Sequence, residues 1–187
     1  PKLGESIQRA ITMKTEGEIK PIPDRGITRE TCEFYKVTQT GQKHIYPYAD
    51  DTGAYVASKV RTVANKQFSV EGQWGKATLF GQSLFHKGGK YVTLVEGELD
   101  ALAAFQMLGS KWPVVSIRNG ANAALKDCKA NFEWLESFEN VVICFDSDEP
   151  GKKASDEVAE LFGSKAKVLK HIKDCKDACD YLIKGET

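Results

Sequence analysis

No stretch of these 187 residues approaches the ~20 consecutive apolar residues that a membrane-spanning helix needs. No signal peptide opens the chain, which begins Pro1-Lys2-Leu3-Gly4-Glu5 without an initiator Met, as a fragment or processed chain would. Neither sign of charge prevails. The chain sets 26 Lys+Arg against 26 Asp+Glu, so net charge gives no argument for a nucleic-acid partner. A local basic groove stays open, because clustering matters more than the sum. Cysteine is sparse and odd in number, five in all. Cys144 falls in an apolar run, and Cys32 and Cys128 fall in helical patterns, which fits reduced thiols rather than a disulfide framework. Cys175 and Cys179, with His171 nearby, are the one place for a zinc cluster, and a single pair is a weak zinc signal. Internal repeats and low-complexity tracts are absent, which excludes a solenoid.

What is present is an ordinary core fraction, 41% apolar, and a strand–loop–helix rhythm from Tyr91 onward. Strands are expected at 91–95, 113–117, 140–145 and 166–170, with helices at about 98–108, 122–137, 152–162 and 177–184. Pro150-Gly151 reads as a break between the third strand and its helix. Alternating βα units imply an α/β fold with a parallel sheet covered by helices on both faces. The first 88 residues read as a smaller mixed α+β subdomain. A short helix follows its Thr28 N-cap, and a hairpin spans 44–49 and 54–60 around Asp50-Asp51-Thr52-Gly53. Further short strands are expected at 67–70 and 77–80. Residues 1–20 read as a polar lead-in, and the boundary falls near Lys87-Gly88-Gly89-Lys90, leaving 89–187 as the second domain.

Two acidic runs close two of the apolar strands: Glu96-Gly97-Glu98-Leu99-Asp100 and Asp146-Ser147-Asp148. Asp100 lies four residues after Glu96, one turn into a helix. Asp146 and Asp148, two apart in an extended segment, face the same way. Each acid alone could be a helix-terminal charge or a turn residue. Both runs ending at one sheet edge point elsewhere. Clustered carboxylates repel, and a divalent cation relieves that cost. Mg²⁺ typically uses one or two carboxylates with waters and a substrate phosphate. Between the runs, Arg118-Asn119-Gly120 leads from a strand into a helix whose first N–H groups can hold a phosphate, with Arg118 adding charge-assisted bonds. Lys59 and Arg61 share one face of a strand, and Lys66 follows. This suits a triphosphate or nucleic-acid backbone, or else an ordinary solvated face. Trp74, Phe80 and Phe85 could stack bases, although packing is the commoner role.

The acidic runs with the Gly loop between them resemble the Toprim domain of primases, topoisomerases and some nucleases. Arg25-Gly26-Ile27-Thr28-Arg29-Glu30-Thr31-Cys32, Ser58-Lys59-Val60-Arg61, Leu79-Phe80-Gly81 and Cys175-Lys176-Asp177-Ala178 narrow this further. Together they resemble the RNA polymerase (primase) domain of phage fused primase-helicases, related to bacterial DnaG-type primases. The resemblance runs from about residue 24 to 184. It implies Glu96, Asp146 and Asp148 as the acidic triad, Asp100 as an accessory catalytic acid, and Asp177 as a further metal ligand. It implies Lys59, Arg61, Lys66, Arg118, Asn119, Gly120 and Lys126 as nucleotide- or template-binding positions. Asn119 departs from the family loop, which carries His before Gly. The cofactor implied is Mg²⁺, with Mn²⁺ as the alternative.

The activity implied is DNA-dependent synthesis of short RNA primers on single-stranded DNA by metal-assisted nucleotidyl transfer, in the cytoplasm (the host's, for a phage-encoded protein). The partners implied are ribonucleoside triphosphates, the template, a preceding zinc-binding module and a following hexameric helicase. Neither a CxxC pair nor a Gly-x-x-x-x-Gly-Lys-Ser/Thr loop occurs here, so a catalytic core of a larger protein is expected. The rivals are a Toprim-type nuclease and a non-catalytic single-stranded-DNA-binding module attached to a helicase. A topoisomerase would need a tyrosine nucleophile in a further domain.

Overall fold

The computed structural model describes residues 16–172 and 174–186. The first fifteen residues of the expected lead-in lie outside that range. The N-terminal part holds a helix α1 (Arg29–Phe34) and strands β1 (Thr38–Thr40), β2 (Lys43–Ala49), β3 (Tyr55–Thr62) and β4 (Phe68–Gly72). The four strands form one antiparallel sheet in chain order. Thr28 caps α1, its hydroxyl accepting from the Thr31 N–H at 3.3 Å. The strand expected at 77–80 does not form. Short 3-10 turns at Trp74–Lys76 and Gln82–Leu84, with Gly81 at φ 80°, leave no length for a ladder. Only Phe80 pairs, with Ser116 of the neighbouring sheet.

The second sheet is wholly parallel, in the order β6-β5-β7-β8, from β5 (Gly89–Val95), β6 (Val114–Ser116), β7 (Phe138–Cys144) and β8 (Ala166–Val168). Period-two alternation divides its side chains between two cores. Val92, Leu94, Val141 and Ile143 face α3 (Ala124–Ala130), α4 (Phe132–Glu136) and α5 (Glu149–Phe162). Val95 and Cys144 face α2 (Glu98–Met107) and α6 (Ala178–Lys184). Both faces are thus covered, as the βα rhythm implies. No helix among the described residues is long and apolar enough to cross a membrane.

Two helices differ from their expected bounds. The one expected over 122–137 is broken at Asn131, whose amide side chain donates to the Asp127 carbonyl at 2.9 Å and competes with helix continuation. The helix expected from 152 begins at 149. Pro150 and Gly151 are its first turn rather than a break, because proline's missing N–H has no intrahelical acceptor there anyway. Asp148 caps this helix, accepting from the Gly151 N–H at 2.8 Å.

α2 joins the two parts. Leu99 and the run Ala101–Phe105 are all buried, so this helix is apolar nearly all round and sits between the parallel sheet and the N-terminal sheet. Gln106 at its far end accepts from the Thr28 N–H and donates to the Gly26 carbonyl, both at 2.9 Å. Tyr35 donates to the Val114 carbonyl at 2.8 Å. All five cysteines are free and buried.

Candidate active site

In the order β6-β5-β7-β8, β5 has β6 on one side and β7 on the other. The crevice beyond the carboxyl ends of β5 and β7 is where the strand order reverses, and open parallel sheets bind ligands there. Glu96 leaves β5 at that point and Asp146 follows β7. Glu96 ties three loops together. One carboxylate oxygen accepts from the Ala121 N–H at 3.2 Å and the other from the Asp146 N–H at 3.4 Å. Gly120, at φ 73°, adopts a left-handed conformation that places the Ala121 N–H over Glu96.

Asp146 sits among a group of acids, of which only Asp177 makes an ion pair, with Lys176 at 3.9 Å. Partial burial, then the charges of Glu96, Asp100, Asp177 and Asp148, push its carboxyl up to about 7. Asp100 is pushed up to about 6 by burial and by Asp177. Glu96 is raised by burial, against the two N–H bonds that favour its anion. Among the described residues, no Lys or Arg makes an ion pair with Glu96, Asp100, Asp146 or Asp148. Asp100, Asp177 and Cys179 bring ligand atoms within 4.8 Å of one another at the same edge. Asp177 caps α6, and the Cys179 N–H donates to Asp100 at 3.1 Å. The hard carboxylate oxygens of Glu96, Asp100, Asp146 and Asp148, which lack ion-pair partners among the described residues, fit Mg²⁺ or Mn²⁺. The zinc grouping of His171, Cys175 and Cys179 does not form. His171 instead places its Nε2 on the Phe145 carbonyl at 2.6 Å.

These raised carboxyl groups set a pH dependence. An unfolded chain releases such protons near pH 4, whereas the folded state keeps them up to about 6 at Asp100 and 7 at Asp146. Between those limits the folded state binds more protons, so metal-free stability falls as pH rises from about 4 to 7. The melting temperature in chelator should drop across that window, and added Mg²⁺ should raise it more at pH 8 than at pH 5.

Each cation that the resemblance implied has a defined place. Arg118 lines the cleft and turns its guanidinium inward. Its Nε and Nη2 donate to Asp127 at 3.1 and 2.9 Å, and its Nη1 donates to the Trp74 and Ala77 carbonyls at 3.1 and 2.8 Å. Asp127 is wholly buried, so the guanidinium serves as an internal tie. Lys59 donates to buried Glu98 at 2.7 Å and to the Arg118 carbonyl at 2.8 Å, and Tyr48 also donates to Glu98. Arg61 is half-buried beside Asp100 and Asp177 in a cleft of about 200 Å³. Lys66 is exposed on the β3–β4 turn and Lys126 is exposed on α3. Trp74 packs on Tyr48 at 4.7 Å, Phe80 is fully buried, and Phe85 packs among Phe34, Tyr35 and Phe105. All three therefore have packing roles.

A cleft of about 670 Å³ opens over the acids, bounded by Lys59, Phe68, Val70, Glu96, Asp100, Asn119, Gly120 and Asp146. Sequence reasoning missed Phe68, Glu98 and Asp127. Phe68 had a signal: it alternates with Val70 on the same strand face as the cations. Gly151 was read only as a breaker. A Cβ there would lie 2.2 Å from the Asp146 carbonyl oxygen. Gly151→Ala should displace Asp146 and cut turnover by about 10²-fold, the penalty of roughly 1 Å of misplacement, while α5 stays folded by circular dichroism.

A parallel sheet with acids from three loops at its switch point and an N-terminal antiparallel sheet facing them defines a Toprim-type domain. The Toprim-like family model matches residues 93–182. The chain is 36% identical over 176 residues to the DNA helicase/primase of Enterobacteria phage T3, covering 92% of this chain. It spans 31% of that protein's length. It superposes on the primase fragment of the Bacteriophage T7 primase-helicase protein with a TM-score of 0.82 and 36% identity, covering 90% of this chain and 71% of that one. The E. coli primase catalytic core shares the fold at a TM-score of 0.65 and 14% identity, over 87% of this chain and 67% of that one. The chain belongs to the Toprim-domain primases of the phage T7/T3 primase-helicase type.

Proposed function

We propose that this chain synthesises RNA primers on single-stranded DNA, joining ribonucleotides by attack of a 3′-hydroxyl on an α-phosphate. The observation that carries this is the convergence of Glu96, Asp100, Asp146 and Asp177 on one crevice with no cationic partner among Glu96, Asp100 and Asp146. Similarity to the phage primase fragment supports it. Asp146 and Asp148 would hold the divalent cation, with Glu96 and Asp177 completing the acidic set. When bound, that cation supplies charge neutralisation for the attacking and leaving oxygens. Glu96 holds the Gly120 loop and the Asp146 loop in register through its two backbone bonds. Arg61, in the adjoining smaller cleft, and Lys66, exposed on the β3–β4 turn, would add positive potential that favours a polyanionic chain.

Within this reading, residues 1–88 serve the template side and 89–187 the chemistry. Asn119 borders the cleft in place of the family histidine. A zinc-binding module and a hexameric helicase are the partners expected in a longer protein. Incubation with a panel of short single-stranded templates, four ribonucleotides and Mg²⁺ should yield short RNA products. Cleavage of labelled DNA without nucleotides, in place of synthesis, would assign the acids to a nuclease instead.

A further inference from the structure

β4 is the edge strand of the N-terminal sheet, and its five residues are all exposed. Two of them are large and apolar: Phe68 is 54% exposed and Val70 47%. In register, Phe68 lies opposite Arg61 and Val70 opposite Lys59, so all four side chains share one face. That face is a wall of the cleft whose other side carries Glu96 and Asp146. The Lys59 ammonium lies 4.9 Å from the Phe68 ring centroid and the Arg61 guanidinium carbon 6.0 Å. Lys59 is itself held by Glu98 and the Arg118 carbonyl, so the ring rests on a cation fixed from below.

Phe68 and Val70 are set apart from singly exposed apolar side chains by their place: side by side, they form a continuous apolar surface on a wall of the cleft. A flat ring held over a cation and open on a cleft suits a planar π system. Aromatic residues that stack bases do so without regard to sequence, since every base has a π-face. Phosphate chemistry at the acids would set a nucleotide's base within the same cleft, on the wall where no acidic side chain lies.

We propose that Phe68 is a stacking platform for a nucleobase in this cleft, with Val70 extending its apolar surface. The proposal rests on the primase reading for the nature of the ligand. Phe68 is a positioning residue: it fixes the base, and through it the phosphate, over the acids.

The test uses Phe68→Leu, which keeps an apolar side chain and loses the ring, and Phe68→Tyr, which keeps the ring. A 2-aminopurine ribonucleoside triphosphate reports base stacking by fluorescence quenching, in Mg²⁺. A second arm places 2-aminopurine in a short single-stranded template. Phe68→Leu should weaken binding of the stacked base about ten-fold, or ~1.4 kcal/mol, and lose the quenching, while Phe68→Tyr keeps both. The arm that responds identifies the source of the base, incoming nucleotide or template. Inorganic tripolyphosphate should bind both variants as it binds the unmodified chain. Equal weakening of tripolyphosphate and nucleotide would overturn the proposal, since the ring would then act only through Lys59. So would unchanged quenching in both arms of Phe68→Leu. The primer assay on the unmodified chain is separate: no primers, with base stacking intact, would sink the functional reading and leave the platform standing.

Discussion

Asp146→Asn should abolish Mg²⁺-dependent nucleotide joining and, in chelator at pH 8, raise the melting temperature. The two effects share one cause. Asp146 is held among Glu96, Asp100, Asp177 and Asp148 with its carboxyl pushed up to about 7, so above that pH the folded chain carries an anion its surroundings disfavour. Asparagine removes the anion and keeps the shape. Without metal, the folded state gains. With metal, the ligand proposed at Asp146 is lost. A bound ion contributes several kcal/mol to the transition state, so the loss in turnover should be at least about a hundred-fold. Thermal melts with and without Mg²⁺, beside a primer assay, check both halves. A melting temperature that falls in chelator would mean that Asp146 is stabilised by a contact other than those described. Undiminished synthesis would remove Asp146 from the chemistry. The gain in stability distinguishes a functional acid from a structural one, because removing a structural partner destabilises.

The second large effect runs the other way. Asp127→Ala should lower stability by about 3–5 kcal/mol, the range for leaving one partner of a buried ion pair alone. For a chain of this length that is a fall in melting temperature of roughly 6–20 °C. Asp127 is 0% exposed and takes three bonds from Arg118: the backbone N–H at 2.7 Å, Nε and Nη2. Stranding the guanidinium also loosens its hold on the Trp74 and Ala77 carbonyls, which belong to the N-terminal part. The loop carrying Asn119 and Gly120 should shift with it, raising the KM for nucleotide as well. Replacing both partners, Arg118→Met with Asp127→Leu, should recover much of the stability, because no charge then remains unpaired. A double variant as unstable as Asp127→Ala would show that the cost lies in packing rather than charge.

How far these features were legible in the sequence depends on whether they are local. The strands ending at Val95 and Cys144 announce themselves as apolar runs, and the acids follow at once, so the sheet edge and its carboxylates could be placed together. Thr28 declares its cap by type and spacing. The sequence is silent where tertiary partners decide. Nothing near Arg118 in the sequence says that Asp127, nine residues on, turns inward to meet it. A basic residue in a Gly loop reads equally as a phosphate ligand. Lys59 was read from its neighbour Arg61, yet its fate is set by Glu98, thirty-nine positions away. Pro150-Gly151 carries breaker chemistry, and the Asp148 cap converts it into a first turn. Asn131 ends α3 through a side-chain bond that propensity alone does not foresee.

The ties through Glu98 and Arg118 also govern how the cleft meets its visitors. They join its two walls, Lys59 to Glu98 by an ionic bond and Arg118 to the Trp74 and Ala77 carbonyls by hydrogen bonds, so the gap between Phe68 and the carboxylates is settled when the chain folds. An arriving molecule must conform to that spacing, and little ordering of the protein is left to do at the moment of encounter.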